Sequence, residues 1–459
     1  MRKKKTIILL FGIGLLVRII ISIIGFSKGG DEFFLNYSDA KGYTRLAMNM
    51  VEGKGFSLDA KPPFTPTAIR TPGYPLFLSL SLLNSHTFLY AILLQILLGA
   101  LVPIFSYMLL IRLSFPENIA SYTSFFLALE PFLAAHSSFL LTEVLFLIFF
   151  LYGSYMYMRA LQEKRVRFSF ASGLLIGYAA LIRPIGLYII FLFTLYFFLQ
   201  IFFREKVKFF LVLPLAMVFF IAGMSVVSPW MWRNWKYLGS VKLASIDDRN
   251  LLFLQGGSVL AMAHGTTVDE EKRKLNNDLK KDGIDSTSLG VSGTFRKKTY
   301  EIIAAHPLAF LQLNALTAWQ FFTHDAYYDL AVHLGFYADR TAPPISILWF
   351  KDSLKKIPSL LYDDPAFIFF VGARIAWIMI FMCFLVGVIV SLRHASLRSR
   401  DLFLCMVIGY FLLASLTTGY AINARLRIPI APFYIAYAIT GILFMGEKLR
   451  LRKIIPVHQ

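Results

Sequence analysis

The chain has 459 residues, of which 57% are hydrophobic and only 16% charged, and its formal net charge is +19. Soluble domains carry about 25% charged residues, whereas here apolar runs of about 20 residues recur, each long enough to cross a hydrocarbon core of ~30 Å. A soluble globular protein is excluded, and so is a β-barrel built from strands of ~10 residues. Lys and Arg stand in short clusters between the apolar runs, so the positive charge reads as membrane topology and not as a nucleic-acid surface.

The N-terminal stretch MRKKKTIILLFGIGLLVRIII starts basic and turns apolar without a small-residue cleavage site, which predicts a retained first helix. The ten predicted spans lie near 6–26, 86–111, 118–136, 140–160, 168–182, 185–203, 209–229, 365–390, 402–419 and 427–446. With both termini in the cytoplasm, the basic clusters at 2–5, 159–167, 204–208, 393–400 and 447–453 all fall on that side. The expected organisation is a membrane region 1–229 with a first external loop at 27–85, an external region 230–364, and a C-terminal membrane region 365–459. The apolar stretch 304–325 reads as an interfacial or re-entrant helix, because pairing it with 343–350 as two more spans is not needed by the charge pattern. Residues 266–300 are clearly aqueous, and no internal repeat is visible. Cys383 and Cys405 fall inside apolar runs and read as buried free thiols. Arg18 and Glu130, also inside apolar runs, are expected to settle helix packing, as a pair or by snorkelling.

The first external loop contains NYSDAKGYTRLAMNMVEGKGF, residues 36–56. Ser38 or Asp39 can cap a helix predicted to run to about Glu52, where EGKG stops it. Asp39, Tyr43, Leu46, Ala47 and Met50 share one face and Lys41, Arg45, Asn49 and Glu52 the other, as in a helix lying on a membrane surface. The helix dipole favours an ionised Asp39 by ~0.3–1 kcal/mol, so Asp39 is either a plain cap or a fixed carboxylate at headgroup level. PTAIRTPGYPLFLSL (66–80) comes next: Pro72, Gly73 and Pro75 bend the chain just after Arg70, and a short apolar helix is predicted at 75–84.

Further along, Glu143 heads the fourth span and Arg183 stands at the LIRPIG corner. Arg233 and Asn234 follow PW among interfacial tryptophans, and Arg425 and Arg427 precede the last span on its outer side. Each arginine is a candidate phosphate ligand whose competing role is snorkelling or anchoring. Arg425 and Arg427 run against the positive-inside trend, which favours a site role.

In order along the chain, Asp39 with Tyr43 four residues on, GKGF (53–56), RTPGYP (70–75), SFLLTEVLF (138–146), LIRPIGL (181–187), SPWMWRNW (228–235) and RLRIPIAPF (425–433) resemble the GT-C glycosyltransferases. Within that class the resemblance is to the branch of the protein O-mannosyltransferases and lipid A aminoarabinose transferases, and it covers residues 1 to about 235 plus the last span. It implies an all-α polytopic membrane fold of about ten transmembrane helices, with juxtamembrane helices in the first external loop and a larger later external region. It also implies a catalytic aspartate in that first loop, here Asp39, and inverting transfer from a polyprenyl phosphate sugar. The substrate-binding candidates are then Tyr43, Arg70, Glu143, Arg183, Arg233, Asn234, Arg425 and Arg427. Many protein O-mannosyltransferases have a glutamate directly after the aspartate; Ala40 stands there instead, which weakens a protein as the acceptor. Asp31, in an Asp31-Glu32 pair that lacks the later tyrosine, is the second candidate base.

Glycosyl transfer needs a base for the acceptor hydroxyl and cations for the leaving phosphate, around a transition state resembling an oxocarbenium ion. All the candidates face away from the cytoplasm, where nucleotide sugars are normally absent. A lipid-linked sugar in the outer leaflet of a bacterial or archaeal plasma membrane is therefore the expected donor, with membrane lipid around it. Glu143 could bind an acceptor hydroxyl or, with Asp39, a divalent cation. IDDR (246–249) is too short a signal for a metal site, so no obligatory metal and no other cofactor is expected. Two rivals stand beside this reading. A lipid or sugar transporter would carry its charges near mid-membrane and often in repeats. An outer-face ligase or polymerase would rely on arginines and tolerate loss of Asp39. Nothing in the residues marks the sugar or the acceptor.

Overall fold

The computed structural model describes residues 2–35, 38–84, 87–203, 209–284, 292–337, 362, 365–393, 398–419 and 423–454. The segment 343–350 and the basic cluster 204–208 lie outside the described residues. Helices account for every regular element among those described. Each of the ten apolar runs is helical: α1 (Arg2–Gly29), then, after the short α2 (Glu32–Leu35), α3 (Ser38–Val51) and α4 (Gly73–Asn84), α5 (Leu89–Arg112). The third run is broken into α6 (Glu117–Leu129) and α7 (Pro131–Ala135), and α8 (Glu143–Glu163), α9 (Val166–Ile182), α10 (Gly186–Phe203) and α11 (Phe209–Leu238) follow. The stretch after α11 folds as α12 (Ile246–Asn250), a π-turn at Leu251–Gly256, α13 (Gly257–His264), α14 (Val268–Lys281), α15 (Ser292–Ala305), α16 (Pro307–Thr323) and α17 (Tyr327–His333). The chain ends in α18 (Phe367–Leu392), α19 (Arg398–Leu416), the short α20 (Asn423–Arg427) with a 3₁₀ turn at Ile428–Ile430, and α21 (Ala431–Ile454).

Seven of the described helices are long and apolar enough to cross a membrane unaided, or up to nine if two bent pairs are each taken as one span. The difference from ten predicted spans has local causes. The run at 118–136 breaks at Glu130, which is extended ahead of Pro131, because the proline ring disfavours helical backbone in the residue before it. α9 and the described part of α10 are apolar but shorter. The bent pairs lie between α11 and α17: α14 turns 116° from the preceding helix, and α16 turns 103° from α15. The helix expected over 304–325 is α16, starting at Pro307 after that turn.

Neighbouring helices run α1–α5–α8–α9–α11, with α10 against α9 and α11, and with α6 joining α1 and α5 to the α21–α18 pair. Gly387 and Gly441 let α18 and α21 touch: a Cβ on either would meet a backbone oxygen of the other helix, that of Tyr437 or of Cys383. Small residues at such crossings are how helices pack closely in lipid. Both cysteines are free, as expected, but Cys383 is only half-buried and Cys405 exposed. An apolar run on the rim of a bundle turns one face to lipid instead of to protein. Arg18 and Glu130 do not form an ion pair. Arg18 donates to Ser137 Oγ at 3.0 Å and to the Gly14 carbonyl at 2.9 Å, while Glu130 caps α7 by accepting from Phe132 N and Leu133 N.

Candidate functional site

The starts of α3 and α8, the end of α9 and the short α20 all come together at one end of the bundle. Asp39 stands in the first turn of α3, where the positive end of the helix dipole favours a carboxylate. The helix buries Tyr43, Leu46 and Ala47 and exposes Lys41 and Arg45, as its pattern predicts. Asn49 departs from the pattern. It was placed on the polar face, yet it is buried, because its Nδ2 donates to the carbonyls of Ser57 and Asp59 and pins the returning loop.

That loop delivers Arg70. Thr71 donates its hydroxyl to the Ile182 carbonyl at 3.0 Å, and Gly73 lies so close to α9 that a Cβ would come 2.7 Å from the carbonyl carbon and oxygen of Leu181. RTPGYP is thus docked backbone-to-backbone on the LIRPIG corner. α9 stops there because Arg183 precedes Pro184 and is extended, with φ −135° and ψ 127°. The two motifs, far apart in sequence, hold Arg70 and Arg183 on either side of one junction.

Asp39 accepts from Arg70 Nη2 at 2.5 Å through Oδ1 and from Arg425 Nη1 at 3.1 Å through Oδ2. Arg425 also donates through Nε to Glu143, which accepts from Arg183 Nη1 at 2.8 Å on the same oxygen. The result is an alternating chain, Arg70–Asp39–Arg425–Glu143–Arg183. Three guanidiniums and two carboxylates leave one net positive charge. Burial pushes the Asp39 carboxyl up, but Arg70 and Arg425 more than reverse this and hold it below the usual carboxylate range. The Asp39 side chain is 28% exposed and that of Glu143 0%. Glu143 Oε2 is buried and has no hydrogen-bond partner.

Tyr43 lies under this chain, with its ring 5.0 Å from the Arg70 guanidinium and edge-on to Tyr74 at 5.1 Å. Tyr74 in turn donates to Gln95, which is fixed by the carbonyls of His136, Ser137 and Phe139 just ahead of Glu143.

The remaining candidates sit apart. Arg233 donates to the Thr67 carbonyl and to Asn234 Oδ1, and stacks 4.7 Å over Trp230. Asn234 is buried and holds the carbonyls of Lys242 and Leu243. Arg233 ties the end of α11 to the loop that carries Arg70, and Asn234 ties it to the turn that follows. Arg427, only two residues beyond Arg425, is buried against α16. Asp31 is exposed in the turn after α1. In the IDDR stretch, Asp248 is paired with Lys242 at 2.5 Å and Arg296 at 2.7 Å. Among the described residues no three His, Cys, Asp or Glu side chains converge as a metal cage.

Residues 75–243 match the family model described as dolichyl-phosphate-mannose-protein mannosyltransferase. The chain is also similar to the crystal structure of the Archaeoglobus fulgidus oligosaccharyltransferase in complex with Zn and sulfate, with a TM-score of 0.50 and 14% identity over 95% of this chain and 50% of that one. The chain shares the all-helical membrane fold of that structure. The apo form of the same archaeal enzyme gives a TM-score of 0.49 and 15% identity, over 96% of this chain and 52% of that one. The chain therefore spans about half the length of these solved structures. No curated protein matches it. The matched segment contains Glu143, Arg183, Arg233 and Asn234 but not Asp39, Arg70 or Arg425. The link between Asp39 and the matched segment is therefore the side-chain geometry itself.

Proposed function

We propose that the protein is an integral membrane glycosyltransferase that moves a sugar from a polyprenyl phosphate donor to an acceptor outside the cytoplasm, with inversion and with Asp39 as the base. The carrying observation is the unbroken chain from Arg70 to Arg183, which sets a carboxylate within hydrogen-bond reach of guanidiniums suited to a phosphate. The acceptor oxygen bonds to the anomeric carbon as the bond to the donor phosphate oxygen breaks. The acceptor proton goes to Asp39, and the released polyprenyl phosphate keeps its charge against Arg70, Arg183 and Arg425.

The donor phosphate competes with Asp39 and Glu143 for the same guanidiniums. As Arg425 turns toward phosphate, the carboxylate it leaves becomes a stronger base, so donor binding prepares Asp39 for its proton. Glu143, further inside, keeps Arg183 and Arg425 from being two uncompensated buried charges. Tyr43 supports Arg70 from below, Arg233 holds the loop that carries Arg70 through the Thr67 carbonyl, and Asn234 fixes the turn after α11. The reading includes no obligatory divalent cation: each oxygen of Asp39 already faces a guanidinium, which can supply the charge stabilisation a metal would.

The test uses the purified protein in liposomes with a panel of synthetic polyprenyl phosphate sugars and a cell-envelope extract as acceptor. Release of polyprenyl phosphate together with a sugar-bearing product, unaffected by a chelator, is expected. Donor crossing the bilayer with its sugar still attached would overturn the reading in favour of a transporter. Mass spectrometry of lipid-linked sugars that accumulate on deletion of the gene would name the sugar.

A further inference from the structure

α20 is five residues long and carries two arginines that point to different places. At 3.6 residues per turn, positions two apart lie about 200° apart around a helix. Arg425 faces Asp39 and Glu143. Arg427 faces the other way, is 4% exposed, and donates through Nη1 to the Phe321 carbonyl at 2.9 Å and through Nη2 to the His324 carbonyl at 2.7 Å. Its guanidinium lies 3.9 Å from the centre of the Trp377 ring, with Tyr434 at 5.6 Å.

A helix of this length is not stable by itself, because isolated helices below ~12–15 residues are marginal. Its place must come from what its side chains hold. The two carbonyls gripped by Arg427 are at the C-terminal end of α16, where helix carbonyls lack partners and the dipole is negative. A planar guanidinium can meet two divergent carbonyls and lie flat on an indole at once, which an ammonium cannot. Among the described residues no carboxylate lies within ion-pair distance of Arg427; Asp325 beside it is paired with Arg374 at 2.6 Å, and Glu130 caps the start of α7. The platform is braced as well: Arg374 and Trp377 come from the same face of α18, and Tyr434 donates to the Phe322 carbonyl at 2.9 Å. The contacts of Arg427 are therefore about shape more than about charge.

We infer that Arg427 is a positioning residue: it clamps α20 to the end of α16 and thereby fixes where Arg425 meets Asp39 and Glu143. The inference rests on the proposed glycosyl transfer for the role of Arg425. It adds that the external region, through α16, takes part in setting the geometry of the site. A displacement of about 1 Å at a reacting group can cost roughly a hundredfold in rate, and beside the apolar packing of Ala424 and Leu426 this clamp is the polar contact that fixes α20 against one.

The test is a double-variant cycle on the full-length protein with Arg427→Lys and Arg425→Ala, singly and together. It reads binding of polyprenyl phosphate alone and kcat/KM for transfer, with thermal midpoints in detergent to follow the fold. Arg427→Lys should weaken both by roughly ten- to a hundredfold in the parent and change neither further once Arg425 is Ala. Equal losses in both backgrounds would overturn the inference and leave Arg427 as a plain fold contact. If Arg427→Lys does not fold, Trp377→Phe, which loosens the stacking surface but keeps both carbonyl bonds, is read in the same cycle. A parent that binds polyprenyl phosphate but transfers nothing would sink the proposed reaction while the binding arm still decides the role of Arg427.

Discussion

Replacing Asp39 by Asn separates the parts this residue plays. The carboxylate accepts from Arg70 at 2.5 Å and from Arg425 at 3.1 Å. The amide keeps one acceptor and turns its NH₂ toward the other guanidinium, so one charge-assisted hydrogen bond is lost. Such bonds are worth ~1.5–3 kcal/mol, and water around a side chain that is 28% exposed places the stability loss near the low end of that range. The charge of the chain rises from one net positive to two, so polyprenyl phosphate should bind at least as tightly. Turnover should bear the main loss: a missing general base costs typically 10²–10⁴-fold, or ~2.7–5.4 kcal/mol of barrier. Single-turnover transfer, polyprenyl phosphate binding and thermal midpoint, each measured on purified protein, tell these apart. The pH profile adds a check. With its folded value depressed, Asp39 stays ionised below the ordinary ~3.9. The acid limb of kcat/KM in the parent should therefore not begin until the pH falls below that value. A variant within threefold of the parent in turnover, or one that loses donor affinity instead, would refute the assignment and turn attention to Glu143 and Asp31.

Two further outcomes follow from the architecture. Cysteines placed at Ala60 and Lys280, both exposed, should react with an impermeant maleimide on intact cells; reaction only after permeabilisation would invert the topology and remove the lipid-donor argument. Gly73→Ala should part α4 from α9, because the added methyl meets Leu181 backbone at 2.7 Å. Overpacking of this kind costs ~1–3 kcal/mol, and a lowered thermal midpoint with reduced activity is expected, whereas an unchanged midpoint would show that the junction yields freely.

The membrane architecture was legible because an apolar helix in lipid has little choice of environment, and length plus charge clusters located all ten runs. The break at Glu130–Pro131 was visible as a residue pair but not as an interruption, since a run of apolar residues masks it in any average. Asp39, Arg70, Glu143, Arg183 and Arg425 could be nominated from corners and helix starts. Their order in the chain of charges could not, because Asp39 and Arg425 are 386 residues apart and only tertiary packing decides which carboxylate each guanidinium reaches. Arg425 and Arg427 looked alike for the same reason. Two steps along a short helix reverse the direction of a side chain, and the helix start that sets the phase carries no strong signal. Asn49 was misplaced because a polar side chain on a helix can be buried to serve a loop that periodicity does not see.

The length of α9 carries a consequence for the membrane itself. It holds 17 residues, about 25 Å at 1.5 Å per residue, against a hydrocarbon core of ~30 Å. α11, with 30 residues, has no such shortfall. A bilayer must thin where it meets this helix, and α9 is capped by Arg183, directly beneath the junction with Gly73. A lipid headgroup beside that corner is carried a few ångströms inward, toward the guanidiniums, without any movement of the protein. Bilayer thickness then becomes a control on encounter with the donor: reconstitution in short-chain lipids should preserve the transfer rate and long-chain lipids should slow it, while equal rates across the series would show that the donor reaches its arginines by another route.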